Sequence, residues 1–148
     1  MLSEQILTRS ATETKDYAKG LAKKLDVGTV VALIGDLGSG KTTFAQGFAE
    51  GLGIFESVVS PTFKLVSEYD GKNCKLIHVD TYRLDGVNDF LNICGEDIIR
   101  TPDSFILIEW ADKIIDILPA ETIHINFQRV LNTDNDRELV IKSVNEWR

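Results

Sequence analysis

One short segment constrains this chain more than any other. Residues 29–34 are apolar and largely β-branched, which predicts a buried strand, and residues 35–42 follow directly with the pattern G-x-x-x-x-G-K-[ST]. Apolar residues then recur at helical spacing as far as Gly53, which predicts a helix that ends there. A strand, a glycine loop and a helix in this order are typical of a site that binds nucleotide phosphates.

The chemistry of phosphate binding explains this spacing. The loop must curl so that successive backbone amides point inward at phosphate oxygens, and glycine tolerates the required backbone angles best. Lys41 is expected to reach the β- and γ-phosphates of ATP, and the hydroxyl of Thr42 to bind magnesium. The loop residues predicted to bind the nucleotide are Gly35, Gly38, Ser39, Gly40, Lys41 and Thr42.

Two further apolar runs end in acids, Asp80 after residues 76–79 and Glu109 after residues 105–108. Ligands of doubly wound sheets bind beyond the carboxyl ends of the strands, so both carboxylates are expected to face the phosphates. A nucleotide-hydrolysing site needs one carboxylate near magnesium and a group that orients water. The spacing leaves open which acid has which role. With Lys41, these two acids are the predicted catalytic residues.

The remaining candidates lie outside these motifs. Ser60-Pro61-Thr62 occupies the position expected of a switch segment that contacts the γ-phosphate, although Ser-Pro also opens ordinary turns. Arg83 could stabilise transition-state charge, contact a partner or be a surface residue.

The rest of the pattern predicts an α/β fold of the P-loop NTPase class in one domain, residues 1–148. We expect a mixed, mostly parallel central sheet flanked by helices, with antiparallel additions. The other predicted elements are a short first element at 5–8, a helix capped by residues 10–13, strands at 62–69 and 74–79, a helix at 89–100 interrupted at Gly95, and an antiparallel pair at 123–127 and 138–144.

Charge and the rarer residues exclude several classes of protein. The net charge of −7 argues against a surface that itself grips nucleic acid. Without a long apolar run or a signal-peptide pattern, we expect a cytoplasmic protein with no membrane contact. Cys74 and Cys94 are expected to be reduced, buried packing residues, and His78 and His124 to be strand histidines. No metal site made of protein ligands alone is expected.

Together these motifs resemble the TsaE family, also called YjeE, the small bacterial ATPases of tRNA threonylcarbamoyladenosine synthesis. The resemblance runs from about Thr14 to Arg137 and rests on residues 35–43, 60–63, 78–84 and Glu109-Trp110. Departures are mild: Ser39 stands for the usual alanine, Thr81 for leucine and Phe63 for tyrosine. Residues 85–100 keep only Gly95-Glu96 recognisably.

The resemblance implies more than spacing does. It implies an ATPase that is slow alone and acts on the TsaD–TsaB complex, the transferase that modifies adenosine 37, so that tRNA is met only through that complex. It assigns Thr43 to phosphate, Thr62 to γ-phosphate sensing, Glu109 to the metal and Asp80 to hydrolysis. It also implies that Thr14 and Arg137 lie near the base of the nucleotide. The switch or partner candidates are Ser60, Thr62, Tyr82, Arg83 and Trp110.

Two alternative functions remain open at this point. A small P-loop kinase would usually carry an arginine-rich lid, but the arginines at 9, 83, 100, 129, 137 and 148 form no cluster in the sequence. A GTP-dependent switch protein would carry an Asn-Lys-x-Asp segment to read guanine, and the sequence has none.

Overall fold

The computed structural model describes residues 2–61 and 63–144. Its strands are β1 (Leu2–Thr8), β2 (Val30–Ile34), β3 (Val66–Asp70), β4 (Lys75–Asp80), β5 (Ser104–Glu109), β6 (Ile123–Arg129) and β7 (Arg137–Ser143). Its α-helices are α1 (Ala11–Lys24), α2 (Lys41–Gly51), α3 (Val87–Asn92) and α4 (Gly95–Ile99), and a 3-10 helix (Ala111–Ile117) follows β5.

The strands form one seven-stranded sheet in the order β1-β7-β6-β2-β5-β4-β3. Its centre, β6-β2-β5-β4, is parallel, while β1, β7 and β3 join through antiparallel pairs. β2, β4 and β5 are almost entirely buried because helices cover both of their faces. The predicted α/β class, with a mixed sheet and antiparallel additions, is therefore confirmed.

The helix pair α1–α2 shows why particular residues stand where they do. Ser10 caps α1, and its hydroxyl accepts a hydrogen bond from the backbone amide of Glu13 at 3.1 Å, as the capping pattern predicted. Gly47 and Gly51 of α2 lie against α1. A Cβ at Gly47 would lie 2.3 Å from the carbonyl oxygen of Lys15, so the two backbones approach too closely for any side chain there.

Two predicted elements are corrected by the structure. The strand expected at 62–69 begins only at Val66, because Leu65 has a left-handed backbone (φ 66°) and its amide bonds to the carbonyl of Pro61 in a turn. The helix expected at 89–100 is two short helices, α3 and α4. Cys94 separates them in a left-handed conformation, with φ 63°.

Cys94 is also exposed, so the expectation that it is a buried packing residue is wrong. Cys74 is partly buried, and burial raises the pKa of its thiol. Both cysteines are free. None of the helices within the described ranges is long and apolar enough to cross a bilayer.

Candidate functional site

A cavity of about 400 Å³ opens at the carboxyl ends of the parallel strands, beside the first turn of α2. This is where ligands of open α/β sheets bind. Most of the predicted site residues meet here. The lining residues are Ala11, Thr14, Leu37, Gly38, Gly40, Lys41, Thr42, Thr43, Ser60, Asp80, Tyr82, Glu109, Trp110, Asn135 and Arg137.

The glycine loop between β2 and α2 forms one wall of the cavity. Gly38 and Gly40 have positive φ angles of 76° and 107°, a conformation that favours glycine. Gly40 is the N-cap of α2 and provides no side-chain hydrogen bond to the first turn. The positive end of the helix therefore has no side-chain acceptor from its cap and points toward the cavity.

Lys41 is folded against its own loop. Its ammonium donates hydrogen bonds to the carbonyl oxygens of Gly35 and Asp36, and its Nζ lies 4.0 Å from the centroid of the Trp110 ring. Only 5% of the residue is exposed. Burial lowers the pKa of Lys41, and nearby carboxylates offset part of that effect. The offsetting carboxylates are those of Glu109, Asp36, Asp80 and Asp112.

The two predicted acids lie side by side, because Asp80 and Glu109 are register partners at the ends of β4 and β5. The hydroxyl of Thr42 donates to Oε1 of Glu109 at 3.3 Å. Both oxygens of Asp80 accept hydrogen bonds, one from Ser60 Oγ at 2.7 Å and one from the amide of Tyr82 at 2.9 Å. Glu109 thus contacts the loop threonine, while Asp80 contacts the predicted switch segment.

Trp110 borders the same cavity in an unusual backbone conformation. It directly follows β5 with φ 60° and ψ 37°, and its carbonyl oxygen accepts a 2.6 Å hydrogen bond from the hydroxyl of Thr81. The ring of Tyr82 packs on its indole, with centroids 4.8 Å apart. Thr81 is fully buried, and this hydrogen bond satisfies its hydroxyl.

Two arginines of the last hairpin reach the glycine loop. Arg129 and Arg137 are register partners on β6 and β7, and they donate to the carbonyl oxygens of Leu37 (3.0 Å) and Gly38 (3.3 Å). A Cβ at Gly38 would lie 2.2 Å from the Arg129 guanidinium. The sequence showed no arginine cluster, but the fold brings these two together across seven intervening residues.

The other predicted site residues lie in different surroundings. Thr14 lines the cavity from α1 and shares a 2.7 Å hydroxyl hydrogen bond with Thr8. Ser39, within the glycine loop, is buried (1% exposed) and is not among the residues that line the cavity. Arg83 stacks over the exposed ring of Phe63 at 4.1 Å, away from the cavity lining. Thr62 lies outside the described residues.

Sequence reasoning missed three contributors to this site: His78, Arg129 and Asn135. Nε2 of His78 lies 2.6 Å from Oε2 of Glu109, although the histidine is fully buried in β4 as a strand residue, as expected. A signal was available, because residues two apart on a strand share a face and His78 stands two before Asp80. Arg129 and Asn135 had no such signal, since they reach the site only through the β6–β7 pairing.

Comparison with known proteins identifies relatives of this chain. A family profile described as "Threonylcarbamoyl adenosine biosynthesis protein TsaE" matches residues 8–139. A Bacillus subtilis protein named tRNA threonylcarbamoyladenosine biosynthesis protein TsaE is 41% identical over 93% of this chain and 84% of its own length. A Treponema pallidum protein of the same name is 38% identical over 91% and 97%.

A solved structure is also similar. The crystal structure of Bacillus subtilis YdiB superposes with a TM-score of 0.80 at 35% identity, and the match covers 97% of this chain and 87% of that one. Sequence and fold therefore agree over nearly the whole length. The chain belongs to the TsaE family.

Proposed function

We propose that this chain is an accessory protein of tRNA threonylcarbamoyladenosine synthesis that binds ATP with magnesium and hydrolyses it. One observation carries the proposal: Lys41, Thr42, Asp80 and Glu109 converge on a single cavity at the carboxyl ends of the parallel strands. Membership of the TsaE family supports the pathway, because the relatives carry that pathway in their names.

The residues of the loop fit a polyphosphate. Lys41 is a buried cation whose hydrogen bonds go to backbone carbonyl oxygens, and burial has lowered its pKa. A phosphate anion would stabilise its charged form better than these neutral oxygens do. The first turn of α2 has no cap from a side chain, so phosphate oxygens can take that role. Thr43 is a further donor on the cavity wall.

The acids fit a magnesium ion shared with the substrate. Thr42 and Glu109 offer hard oxygen ligands next to each other, and no cluster of three or more metal-ligating side chains occurs in the part of the chain the structure describes. That combination suits magnesium, which is usually bound by one or two protein oxygens together with phosphates and water. Bound magnesium would neutralise charge on the phosphate oxygens.

The chain's own groups supply the remaining requirements. Asp80 is fixed by Ser60 and Tyr82, so its carboxylate is positioned to orient a water molecule, whereas Glu109 serves the metal. Thr14 and Arg137, which line the same cavity, would contact the base side of the nucleotide. Trp110 lines the cavity beside Lys41.

The partner we propose is the TsaD–TsaB complex, with tRNA met only through it. The net charge of −7 makes direct binding of tRNA unfavourable. Ser60 connects Asp80 to the segment at 55–63, in which the residues Phe55 and Phe63 are 95% and 81% exposed. A partner that binds this segment would therefore act on the catalytic acid. We expect the protein to work in the cytoplasm as an ATPase and not as the transferase.

The test is ATP hydrolysis by the purified chain with magnesium, alone and with TsaD–TsaB from the same source. Slow hydrolysis that the complex stimulates supports the proposal. A rate of hydrolysis that is the same with and without the complex would contradict the proposed partner. Transfer of labelled phosphate to a metabolite would favour a kinase. Competition between GTP and ATP checks the switch-protein alternative.

Three variants assign the roles. Lys41→Ala should lose nucleotide affinity, because it removes both a cation and the bonds that hold the loop. Asp80→Asn should bind ATP as before and Glu109→Gln should bind it more weakly only when magnesium is present, and both should slow hydrolysis by about 100-fold or more. Unfolding of either acid variant at room temperature would mean that the carboxylate is structural.

A further inference from the structure

His78 stands directly behind one of the proposed catalytic acids. It is fully buried on β4, and its Nε2 lies 2.6 Å from Oε2 of Glu109, which is itself only 3% exposed. The other oxygen of the same carboxylate, Oε1, is 3.3 Å from the hydroxyl of Thr42. The two oxygens of Glu109 are therefore divided between a buried histidine on one side and the phosphate loop on the other.

The register of the sheet explains how this contact forms. His78 pairs with Leu107 across β4 and β5, and Glu109 is two residues further along β5 on the same face. Diagonal neighbours of this kind are within reach of long side chains. An ionised carboxylate only accepts hydrogen bonds, so Nε2 of His78 carries the hydrogen and donates it.

The other ring nitrogen of His78 has different surroundings. Nδ1 of His78 is buried and has no hydrogen-bond partner among the described residues. A buried polar atom without a partner destabilises a fold, and such exceptions call for a specific explanation. Among its neighbours on the same face, Leu76 and Leu107 are apolar and Ser67 and Asp80 are polar, yet none of them is hydrogen-bonded to Nδ1. The hydrogen bond to Glu109 is therefore what explains a histidine at this position.

We propose that His78 is a positioning residue: its Nε2–H holds Oε2 of Glu109 so that Oε1 stays turned toward Thr42 and the metal position. Residues that hydrogen-bond to a metal-binding side chain fix its orientation, and their loss commonly lowers metal affinity by about 10- to 100-fold. The inference rests on the proposed function, because the orientation of Glu109 matters only if that carboxylate serves magnesium.

A matched pair of amide substitutions tests the role. The side-chain nitrogen of His78→Gln can occupy the position of Nε2 and donate to Glu109, whereas that of His78→Asn is too short to reach it. Calorimetry would measure the affinity for ATP in excess magnesium chloride and again in EDTA, alongside thermal unfolding without nucleotide. We expect His78→Asn to lose about tenfold in affinity with magnesium and to change less than about twofold in EDTA. His78→Gln should stay within about threefold of the unmodified chain in both conditions.

The outcomes separate this inference from the function on which it rests. If the unmodified chain binds no ATP with magnesium, the proposed function fails first. If it binds and the two variants have equal affinities in magnesium, His78 does not position Glu109 and the inference is overturned. Equal losses with magnesium and in EDTA would also overturn it, since a general loss of structure affects both. A third variant, His78→Leu, removes every donor and should resemble His78→Asn.

Discussion

The two faces of the sheet are packed in different ways. On one face, α1 and α2 lie over a single apolar cluster that draws on all seven strands, from Ile6 of β1 to Tyr69 of β3. On the other face, α3, α4 and the 3-10 helix cover a cluster from β2, β3, β4 and β5 alone. The second face of β1, β6 and β7 carries alternating, partly exposed residues, as antiparallel strands allow.

The candidate site is built on the more completely covered face. His78, Asp80 and Glu109 share the register positions of Leu33 and Leu107, which pack beneath α1 and α2. Lys41 and Thr42 come from α2 itself. The close contact between α1 and α2 therefore fixes the helix that carries the phosphate loop, while the opposite face is made of short helices that carry none of the proposed catalytic groups.

The largest effect expected from this comparison is that of Gly47→Ala. Its Cβ would lie 2.3 Å from a backbone oxygen of Lys15, so α1 and α2 must separate, and we expect a loss of about 3 kcal/mol in the free energy of unfolding. Gly20→Ala in α1 is the matched control. Nothing lies within 4 Å of its Cβ, and it should gain about 0.5–1 kcal/mol. Equal effects in urea unfolding would show that the helices are not in tight contact.

A smaller effect is expected from the same substitution on the other face. In Gly95→Ala the new Cβ would meet the ring of Phe90 at 2.3 Å, but α4 is only five residues long and can shift. We expect a loss of about 1–2 kcal/mol and no change in ATP affinity. A loss larger than that of Gly47→Ala would contradict this expectation, because the α3–α4 face would then be the one that tolerates an added methyl group less well.

The smallest expected effect is a pH-dependent change in stability, and it arises on the part of the second face that the short helices leave uncovered. His124 lies there on β6, and partial burial lowers its pKa below the usual histidine value of 6.5. As the pH falls through 6.5, the unfolded chain binds the proton before the folded chain does, so this residue destabilises the fold increasingly at lower pH.

The His124→Gln variant isolates that contribution. The difference in unfolding free energy between the original chain and the variant should be constant above about pH 7.5 and move against the original chain as the pH falls through 6.5. A difference that does not depend on pH would mean that His124 is as well solvated in the folded chain as in the unfolded one.

The sequence predicted best those parts whose determinants are local. The loop at 35–42 combines glycine geometry, a lysine and a helix start within one segment, and the acids Asp80 and Glu109 simply end apolar strands. The sequence was a poorer guide where contacts between residues far apart in the chain determine the local structure. Leu65 forms a turn although its neighbours look like a strand, and Cys94 breaks a helix where Gly95 packs on Phe90. Arg129 reaches the loop only through strand pairing.

The most direct test of the account follows the fluorescence of Trp110 during titration with ATP and magnesium. The chain has two tryptophans, so Trp147→Phe provides the background in which Trp110 alone reports. Because the Lys41 ammonium lies 4.0 Å from the centroid of the indole ring, phosphate that draws the lysine away should change the emission in a saturable way. We expect no such change in Lys41→Ala. Unchanged emission while calorimetry detects ATP binding, or no binding at all, would contradict the assignment of this cavity as the ATP site.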